Sequence, residues 1–554
     1  MPNPAVPAQA IREVARDRLG LVDLRPGQEE AIRSVLDGND TLVVMPTGSG
    51  KSAVYQIAGT MLPGPTVVVS PLIALQRDQV EAITGTTAGV AAAANSTVSP
   101  RERRRILDEL RAGRVEFLFV APEQLSNEET AAALRAAKPT LFVVDEAHCI
   151  SEWGHDFRPE YLRLGAAIEE LGRPRVLALT ATASPVVRDE IIDRLGLDEP
   201  ACFVRGFDRP SLWMEVQTCR SERDKQEALL RAVPRLDFPG IVYVATRKQT
   251  LEVAEFLREE AGLRTAAYHG GMPKAERHDA QERFMRDQID VMVATTAFGM
   301  GIDKQDVRFV VHYDVPESID AYYQEAGRAG RDGQPALALL LWRQEDLGLR
   351  KFFANSGQID PDEVERVAIV LRAAHDPVPL PALRDALDMS ETRLGQVLTR
   401  LEDAGAVELH GDGTVQAVQE GPSPGDAAAA AMAAQEARTT MDESRLTMMR
   451  NYVETRGCRR RFILTYFGEP AEEQCYTCDR CVADAAAGDW DIDLVAGDGA
   501  DLPFPEQSRV RHKSWGEGLV LRHEGDSVVV LFDDVGYKTL SIDLVQQNGL
   551  LETA

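Results

Sequence analysis

Residues 41–52 read TLVVMPTGSGKS, an apolar β-branched run followed by a glycine-containing loop. The run predicts a buried strand, and a helical stretch follows the loop. Glycines at such a junction let backbone N–H groups close around phosphates. Lys51 would supply charge to the β and γ phosphates, and Ser52 a hydroxyl to Mg²⁺. We therefore predict a nucleotide-binding α/β fold, whose loop consists of Thr47, Gly48, Ser49, Gly50, Lys51 and Ser52.

A second acidic motif, Asp145-Glu146-Ala147-His148, directly follows another apolar run at 141–144. An aspartate at a strand end can hold Mg²⁺ directly or through water, and the next carboxylate can polarise the attacking water. Taken alone, the motif could equally be a solvated acidic turn. Together with Lys51 upstream, it predicts an NTPase that uses Mg²⁺.

Short apolar runs alternate with longer amphipathic stretches as far as about residue 345. Those at 41–44, 66–69, 117–120, 141–144 and 175–179 predict one parallel sheet. The pattern restarts after about Gly206, with runs at 240–244, 264–268, 291–294 and 309–312. Two consecutive α/β domains follow from this repetition.

The C-terminal part has a different pattern. A helix at 362–374, a second short helix, a helix N-capped by Ser390 and running to about Gly405, and two strands at 406–409 and 415–418 form a winged-helix pattern. An alanine-rich stretch predicts a long helix from Asp426 to Thr455. An acidic linker at about 486–505 then leads to a small all-β segment at 508–546.

Composition indicates a globular protein of several domains. The 554 residues are 44% hydrophobic and 27% charged, and no apolar run is long enough to span a membrane. The N-terminus lacks a secretory pattern, so we expect a cytoplasmic protein. The net charge of −27 is unfavourable for a nucleic-acid partner, although phosphate binding depends on local charge in a groove.

Four of the seven cysteines are crowded near the C-terminus: Cys458, Cys475, Cys478 and Cys481. Tetrahedral Zn²⁺ held by four thiolates requires such a cluster, and we predict a structural zinc. An iron–sulfur cluster is the alternative. The other three, at Cys149, Cys202 and Cys219, have no partner at ligand spacing and are expected to be ordinary core or surface residues.

The ordered motifs resemble those of RecQ helicases within superfamily 2. They lie at 24–30, 45–52, 70–75, 145–159, 180–183, 268–271, 294–304 and 324–333, and the segment 458–469 with its cysteine spacing resembles the RecQ zinc-binding subdomain. The resemblance implies an α/β fold with two tandem RecA-like parallel-sheet domains. It further implies that ATP binds between them and that DNA is the polymer on which the protein moves.

The resemblance also implies residue roles. Gln28 would read the adenine edge, with Arg25 in the same element. Arg328 and Arg331 would act as arginine fingers, His148 joins the catalytic set, and Asp303 the nucleotide-binding set. An aromatic loop would link DNA binding to hydrolysis through His155, although packing is the ordinary role for its aromatic rings. The expected DNA contacts are Trp153, His155, Phe157, Arg158, Ser70, Thr246, Arg247 and Thr295.

The C-terminal region departs from the family pattern. The winged-helix-like segment precedes the cysteines instead of following them, and the segments 510–520 and 528–540 resemble the Tudor/SH3-like barrel of UvrD-type helicases. That likeness implies contact with a protein such as RNA polymerase, or weak nucleic-acid binding. A purely stabilising barrel is the alternative.

We therefore expect a RecA-like domain at 1–205, a second at 206–345, a winged-helix-like module at 346–425, a helical zinc-binding module at 426–485, an acidic linker at 486–507 and an SH3/Tudor-like barrel at 508–554. The predicted function is a monomeric, nucleoid-associated ATP-dependent helicase. It would move 3′ to 5′ on single-stranded and partly duplex DNA in repair or recombination. The alternatives are a DNA-stimulated translocase that remodels protein–DNA complexes, a nucleic-acid-binding adaptor and an RNA helicase.

Overall fold

The computed structural model describes residues 6–46, 48–151, 157–299, 302, 304–355, 359–374, 376–410, 413–487, 503–506, 508–524, 527–533 and 535–553. They fall into two compact units. One comprises Met1–Arg343 with Met449–Gln507, and the other comprises Gln344–Met448 with Ser508–Ala554. None of the helices in the described part of the chain combines the length and apolar character needed to cross a membrane.

The first domain is a seven-stranded parallel sheet in the order β3-β4-β2-β5-β6-β1-β7. Most of its strands are buried along their whole length, as expected for a sheet covered by helices on both faces. The strands are β1 (Thr41–Val44), β2 (Thr66–Val69), β3 (Ala91–Ala94), β4 (Phe117–Val120), β5 (Leu141–Val144), β6 (Arg175–Thr180) and β7 (Ala201–Val204). The helices are α1 (Ala8–Leu19), α2 (Gln28–Asp37), α3 (Lys51–Met61), α4 (Ile73–Thr84), α5 (Pro100–Arg111), α6 (Glu128–Ala137), α7 (Leu164–Glu170) and α8 (Pro185–Leu195).

The second domain repeats this plan with six parallel strands in the order β10-β11-β9-β12-β13-β8. Its strands are β8 (Leu212–Thr218), β9 (Gly240–Tyr243), β10 (Thr265–Tyr268), β11 (Val291–Ala294), β12 (Phe309–His312) and β13 (Ala336–Trp342). Its helices are α9 (Glu222–Ala232), α10 (Arg247–Ala261), α11 (Lys274–Met285) and α12 (Ile319–Ala326). Parallel strands end at a common edge, so the loops that follow them are placed together.

The next module has the predicted winged-helix arrangement of three helices and a small antiparallel sheet, ordered β14-β16-β15. Ser390 caps the third main helix, as expected, by accepting a hydrogen bond from the backbone N–H of Arg393 at 3.2 Å. The elements are α13 (Asp346–Asn355), α14 (Pro361–Ala373), β14 (Val378–Pro379), α15 (Leu380–Leu387), α16 (Glu391–Asp403), β15 (Val407–Leu409) and β16 (Thr414–Ala417).

A long helix, α17 (Pro424–Glu454), follows and confirms the prediction from the alanine-rich stretch. Two short helices carry the cysteines, α18 (Arg459–Tyr466) and α19 (Asp479–Ala487). The C-terminal segment forms an antiparallel sheet in the order β20-β19-β18-β17-β21. Its elements are β17 (Arg509–His512), β18 (Gly516–Glu524), β19 (Ser527–Phe532), β20 (Gly536–Ser541), α20 (Ile542–Gln547) and β21 (Leu551–Thr553).

Candidate nucleotide site and zinc centre

The phosphate loop joins β1 to α3. Gly48 and Gly50 have φ angles of 81° and 77°, in the left-handed region where glycine is unstrained. Lys51 opens α3, and its Nζ donates to the backbone oxygen of Met45 at 3.0 Å. Burial lowers the pKa of Lys51, and the carboxylates of Glu146 and Asp145 oppose that shift. The lysine charge therefore lies beside the acidic motif, as the two sequence motifs predict.

Gln28 and Arg25 hold the phosphate loop from α2 and the turn before it. The Gln28 amide nitrogen donates to the backbone oxygens of Ser49 at 3.0 Å and Gly50 at 2.9 Å. Its oxygen accepts from the backbone N–H of Arg25 at 2.8 Å, and the Arg25 guanidinium donates to the Gly48 oxygen. Gln28 is buried, so in this structure its amide supports the loop. Its expected reading of adenine stays a prediction.

The acidic motif lies at the carboxyl end of β5. Asp145 accepts a hydrogen bond from the Ser70 hydroxyl at 3.3 Å, and its backbone oxygen accepts from the Tyr161 hydroxyl at 2.9 Å. Burial, with a smaller contribution from the neighbouring Glu146 carboxylate, raises the pKa of Asp145 to about 7. A divalent cation would stabilise both charges, which fits the predicted Mg²⁺ site of Asp145 and Ser52.

His148 connects the acidic motif to the end of β6. Its Nδ1 lies 3.4 Å from a Glu146 carboxylate oxygen and 2.8 Å from the Thr180 hydroxyl. The Thr180 hydroxyl in turn donates to the backbone oxygen of Thr182 at 3.0 Å. Glu146 itself adopts φ of 50°, a left-handed conformation that is rare for glutamate. Strain of this kind is held by surrounding structure and is common at functional sites.

The second domain contributes two arginines beyond α12. Arg331 packs on the phosphate loop so closely that a Cβ added at Gly48 would lie 3.0 Å from its Cδ. Its guanidinium donates to the backbone oxygen of Ile302 at 2.9 Å. Arg328 is buried beside Tyr243, with which its side chain shares a hydrogen bond. Within the described part of the chain its Nε has no hydrogen-bond partner, so a donor remains for a ligand.

A cavity of about 280 Å³ opens between the phosphate loop and the second-domain segment that contains Arg331. Its walls include Arg25, Gly48, Ser49, Arg209 and Arg331, a basic lining suited to a polyphosphate. The Ser49 hydroxyl oxygen is buried and lacks a hydrogen-bond partner among the described residues. The Ser49 hydroxyl, the Arg328 Nε, the glycines of the phosphate loop and the basic cavity wall all fit a nucleoside triphosphate.

The expected DNA contacts that the structure describes have different surroundings. Ser70 is buried and its hydroxyl donates to the Asp145 carboxylate at 3.3 Å, and its expected contact with DNA stays a prediction. The Thr246 hydroxyl caps α10 by accepting from the backbone N–H of Gln249 at 3.2 Å. Arg247 is exposed, and Thr295 is half-buried just after β11.

In the aromatic loop, Phe157 is half-buried and Arg158 donates to the backbone oxygen of Pro71 at 3.3 Å. The remaining predicted residues, Thr47, Trp153, His155 and Asp303, lie outside the described residues.

The four C-terminal cysteines form one cluster, with all sulfur atoms within 4.8 Å of one another. Four thiolates at about 2.3 Å from a tetrahedral zinc would require such proximity. Hydrogen bonds with the thiols of Cys475 and Cys478, together with burial, raise the pKa of Cys458. A bound zinc would reverse this effect, because a coordinating thiol is deprotonated by the metal charge. The cluster therefore fits Zn²⁺. Cys149 and Cys219 are buried elsewhere, and Cys202 is exposed.

Several residues at the nucleotide site carried no motif signal. Tyr243 ends β9 and its hydroxyl donates to the backbone oxygen of Phe298 at 2.7 Å, while the ring stacks on His312. Arg209 precedes β8 and lines the cavity. A buried tyrosine after a predicted strand is an ordinary core residue in any sequence, so only the tertiary contacts reveal its place.

Three family models match the chain. They are a DEAD/DEAH box helicase at residues 25–190, a helicase conserved C-terminal domain at 224–333 and a RecQ zinc-binding domain at 422–482. Among solved structures, the DUF1998 helicase MrfA bound to DNA aligns with a TM-score of 0.51 and 17% identity, covering 76% of this chain and 60% of that one. This likeness concerns the fold alone.

Curated relatives match at higher identity. The chain is 38% identical over 357 residues to the probable ATP-dependent DNA helicase RecS of Bacillus subtilis, covering 64% of this chain and 72% of the relative. It is 34% identical over 498 residues to the ATP-dependent DNA helicase RecQ of Synechocystis, covering 86% and 98%. Against RecQ of Pasteurella multocida the identity is 41% over 364 residues, covering 65% of this chain but only 57% of the relative.

Proposed function

This chain belongs to the RecQ family of superfamily 2 helicases, and on that premise we propose that it is an ATP-dependent DNA helicase. It moves 3′ to 5′ on single-stranded DNA and unwinds duplex DNA in repair or recombination. The supporting observation is that Arg331 of the second domain packs on Gly48 of the phosphate loop, opposite Lys51 and the acidic pair.

Each polar residue of the site then has a defined task. Lys51 and the loop amides hold the β and γ phosphates. Asp145 and Ser52 would hold Mg²⁺, which would supply positive charge to the phosphates. Glu146, oriented by His148, accepts a hydrogen bond from the attacking water. Arg328 and Arg331 stabilise the charge that develops on the transferred phosphoryl group.

Movement on DNA follows from the origin of these groups in two domains. A catalytic charge that comes from the second domain is in place only when the domains close, so hydrolysis and closure are coupled. Single-stranded DNA crosses the strand ends of both domains near Arg158, Arg247 and Thr295. Trp153 and His155 are proposed as further DNA contacts from the sequence alone. Contacts to phosphates there fix the strand without reading its sequence.

The polarity is tested with two duplexes that differ only in the strand end carrying the single-stranded tail. We expect unwinding of the 3′-tailed duplex with ATP and Mg²⁺, and none of the 5′-tailed or blunt duplex. Unwinding of the 5′-tailed duplex alone would refute the 3′-to-5′ assignment.

Arg247→Ala removes an exposed cation and should weaken binding to single-stranded DNA, with a reduced dependence of affinity on salt.

A second candidate is a translocase that displaces proteins and unwinds little. It is favoured by the order of modules, because the winged-helix-like module precedes the zinc cluster and an antiparallel sheet follows it. DNA-stimulated hydrolysis, displacement of a protein block from single-stranded DNA and a failure to separate the 3′-tailed duplex would favour this candidate.

We also propose that the C-terminal sheet module contacts RNA polymerase, in a monomeric protein located at the bacterial nucleoid. The support is its likeness to the UvrD-type barrel, together with an aromatic cluster in which Trp515 stacks on His512 at 4.1 Å between ring centroids. Binding of purified RNA polymerase to the full chain, lost in Trp515→Ala, is the expected result. Equal binding by both proteins would refute this surface.

A further inference from the structure

The segment 205–211 joins the two α/β domains, running from the end of β7 to the start of β8. Two residues of the zinc-binding module, Glu469 and Phe467, contact this segment at Phe207. The Glu469 carboxylate accepts from the backbone N–H of Phe207 at 2.9 Å, and the ring of Phe467 stacks on Phe207 with centroids 4.3 Å apart. A connection between domains would otherwise be expected to bend freely.

Arg460, from α18 of the zinc-binding module, fixes the next part of the segment. One of its nitrogens donates to the backbone oxygens of Arg209 at 2.8 Å and Leu212 at 2.9 Å. Another lies 3.1 Å from the Asp208 carboxylate. Arg460 is itself buried, so these bonds are formed in a low-dielectric environment where they are strong. The main chain of Arg209 is therefore held in place from the zinc-binding module.

The side chain of Arg209 reaches the loop after α12. Its two terminal nitrogens donate to the backbone oxygens of Gly327 at 2.7 Å and Ala329 at 2.5 Å. These are the residues on either side of Arg328. Carbonyls just beyond a helix end lack helical partners, and a guanidinium satisfies two of them with a fixed spacing.

Arg328 lies between the two residues whose carbonyls Arg209 holds. It shares a hydrogen bond with the Tyr243 hydroxyl, and a Cβ added at Gly299 would lie 3.4 Å from its terminal nitrogen. The backbone of the loop after α12 therefore sets the position of the Arg328 side chain. That loop is held on both sides of Arg328 by one residue from the interdomain segment.

We propose that Arg209 is a positioning residue for ATP hydrolysis. By holding the carbonyls of Gly327 and Ala329 it sets the position of Arg328, and through Arg460 it ties this position to the folded zinc-binding module. The inference rests on the proposed function, in which Arg328 stabilises charge during phosphoryl transfer. Neither Arg209 nor Arg460 needs to touch the nucleotide for this role.

The test is a double-mutant cycle on the full chain, with Arg209→Met and Arg328→Ala and DNA-stimulated ATP hydrolysis as the readout. We expect Arg209→Met to lower kcat by about 10- to 100-fold, which is less than the roughly 100- to 1,000-fold loss on removing a charge-stabilising donor outright, with KM for ATP changed by less than about twofold. In the Arg328→Ala background the same substitution should cause no further loss of kcat. Arg209→Lys, with a single point charge, should recover only part of the rate.

Arg173→Met is the matched control, because Arg173 also donates to a backbone oxygen and a carboxylate but lies in the first domain away from the site. It should retain wild-type kcat. Zinc content and thermal unfolding are measured for every variant, so that a folding defect is recognised. If Arg209→Met is misfolded, Arg209→Lys carries the cycle.

Three outcomes would overturn the inference. In the first, Arg209→Met raises KM for ATP and lowers kcat by its full factor even in the Arg328→Ala background. That result would mean that Arg209, which also lines the cavity, binds the nucleotide directly. Unchanged kcat in Arg209→Met, with Arg328→Ala impaired, would mean that the loop keeps its position without it. Equal fractional losses in both backgrounds would mean that the two arginines act independently. If the wild-type protein lacks DNA-stimulated hydrolysis, the proposed function fails first.

Discussion

Gly50 lies where the phosphate loop turns into α3, with φ of 77°, a backbone conformation in which another residue would be strained. A Cβ added there would lie 2.8 Å from the Gln28 amide nitrogen that holds the loop. The φ angle therefore favours glycine, and a larger residue would displace the Gln28 amide from the loop. The sequence motif predicted the role of Gly50 in the phosphate loop, whereas its contact with the Gln28 amide is known only from the tertiary structure.

Gly50→Ala should therefore weaken nucleotide binding by about 10- to 100-fold, since left-handed strain alone costs roughly 1–3 kcal/mol and the displaced Gln28 releases the loop. Titration with a fluorescent ATP analogue measures this change. Gly113→Ala is the control, because Gly113 has φ of 68° with nothing within 4 Å of an added Cβ. It should lose some stability and no nucleotide affinity. Equal nucleotide affinities for the two variants would contradict the role of the Gln28 contact.

A buried ion pair in the second domain gives a prediction about stability. Lys225 is fully buried, and its Nζ lies 2.9 Å from Asp314, which also accepts from the backbone N–H of Ala245. Lys225→Met would leave a buried carboxylate without its countercharge and should destabilise the domain by about 3–5 kcal/mol. Urea unfolding measures the loss.

Lys248→Met is the control for that substitution, because Lys248 pairs with Glu252 on the surface of α10. Its urea midpoint should equal that of the wild type. A Lys225→Met protein as stable as this control would show that Asp314 is satisfied by other groups.

At the scale of elements, sequence patterns predicted the strands with continuous β-branched or aromatic runs, such as β2, β4, β5 and β12. They did not predict β3, which reads AAAA, or β13, which reads ALALLLW, because alanine and leucine favour helices and carry little strand signal. Both elements form because a parallel sheet supplies a neighbour and a buried face. β7 and β8, at one edge of their respective sheets, were missed for a related reason, since neither is buried along its whole length.

The nucleotide site shows the same division. Lys51, Asp145 and Arg331 were predicted because their motifs are short and local, and in the structure the charges of Asp145 and Arg331 both act on the buried Lys51. The support from Tyr243 and Arg209 could not be predicted, because each depends on a contact between segments that are distant in sequence. The position of the Ser70 hydroxyl depends in the same way on the packing of β2 against β5.

The zinc cluster yields a prediction for an element. Cys478→Ser should reduce bound zinc from one equivalent to nearly none and lower the thermal midpoint, since metal binding and folding of such modules are coupled. Zinc content by atomic absorption, together with thermal unfolding, tests this outcome. Cys202→Ser is the control, because Cys202 is exposed and lies outside the cluster. Retention of a full equivalent by Cys478→Ser would contradict the assignment, and bound iron would favour the cluster alternative.

At the scale of the whole molecule, the compact units do not follow the order of the modules along the chain. The zinc-binding region from Met449 belongs to the unit of the two α/β domains, although a module of some hundred residues precedes it in sequence. The long helix α17 passes from one unit into the other. Its middle belongs to the second unit, where the Ser444 hydroxyl oxygen accepts from the backbone N–H of Tyr537 at 2.6 Å. The domain boundaries predicted from the sequence are continuous segments, whereas each compact unit combines two segments that are separated along the chain.

The central claim is that this protein is a motor driven by ATP and activated by DNA. The most direct measurement is the rate of ATP hydrolysis with and without single-stranded DNA, for the wild type and for Glu146→Gln. We predict hydrolysis that rises at least about tenfold with DNA, and a Glu146→Gln protein that binds ATP but hydrolyses it at least about 100-fold more slowly. Equal rates with and without DNA, or a fully active Glu146→Gln variant, would contradict the claim.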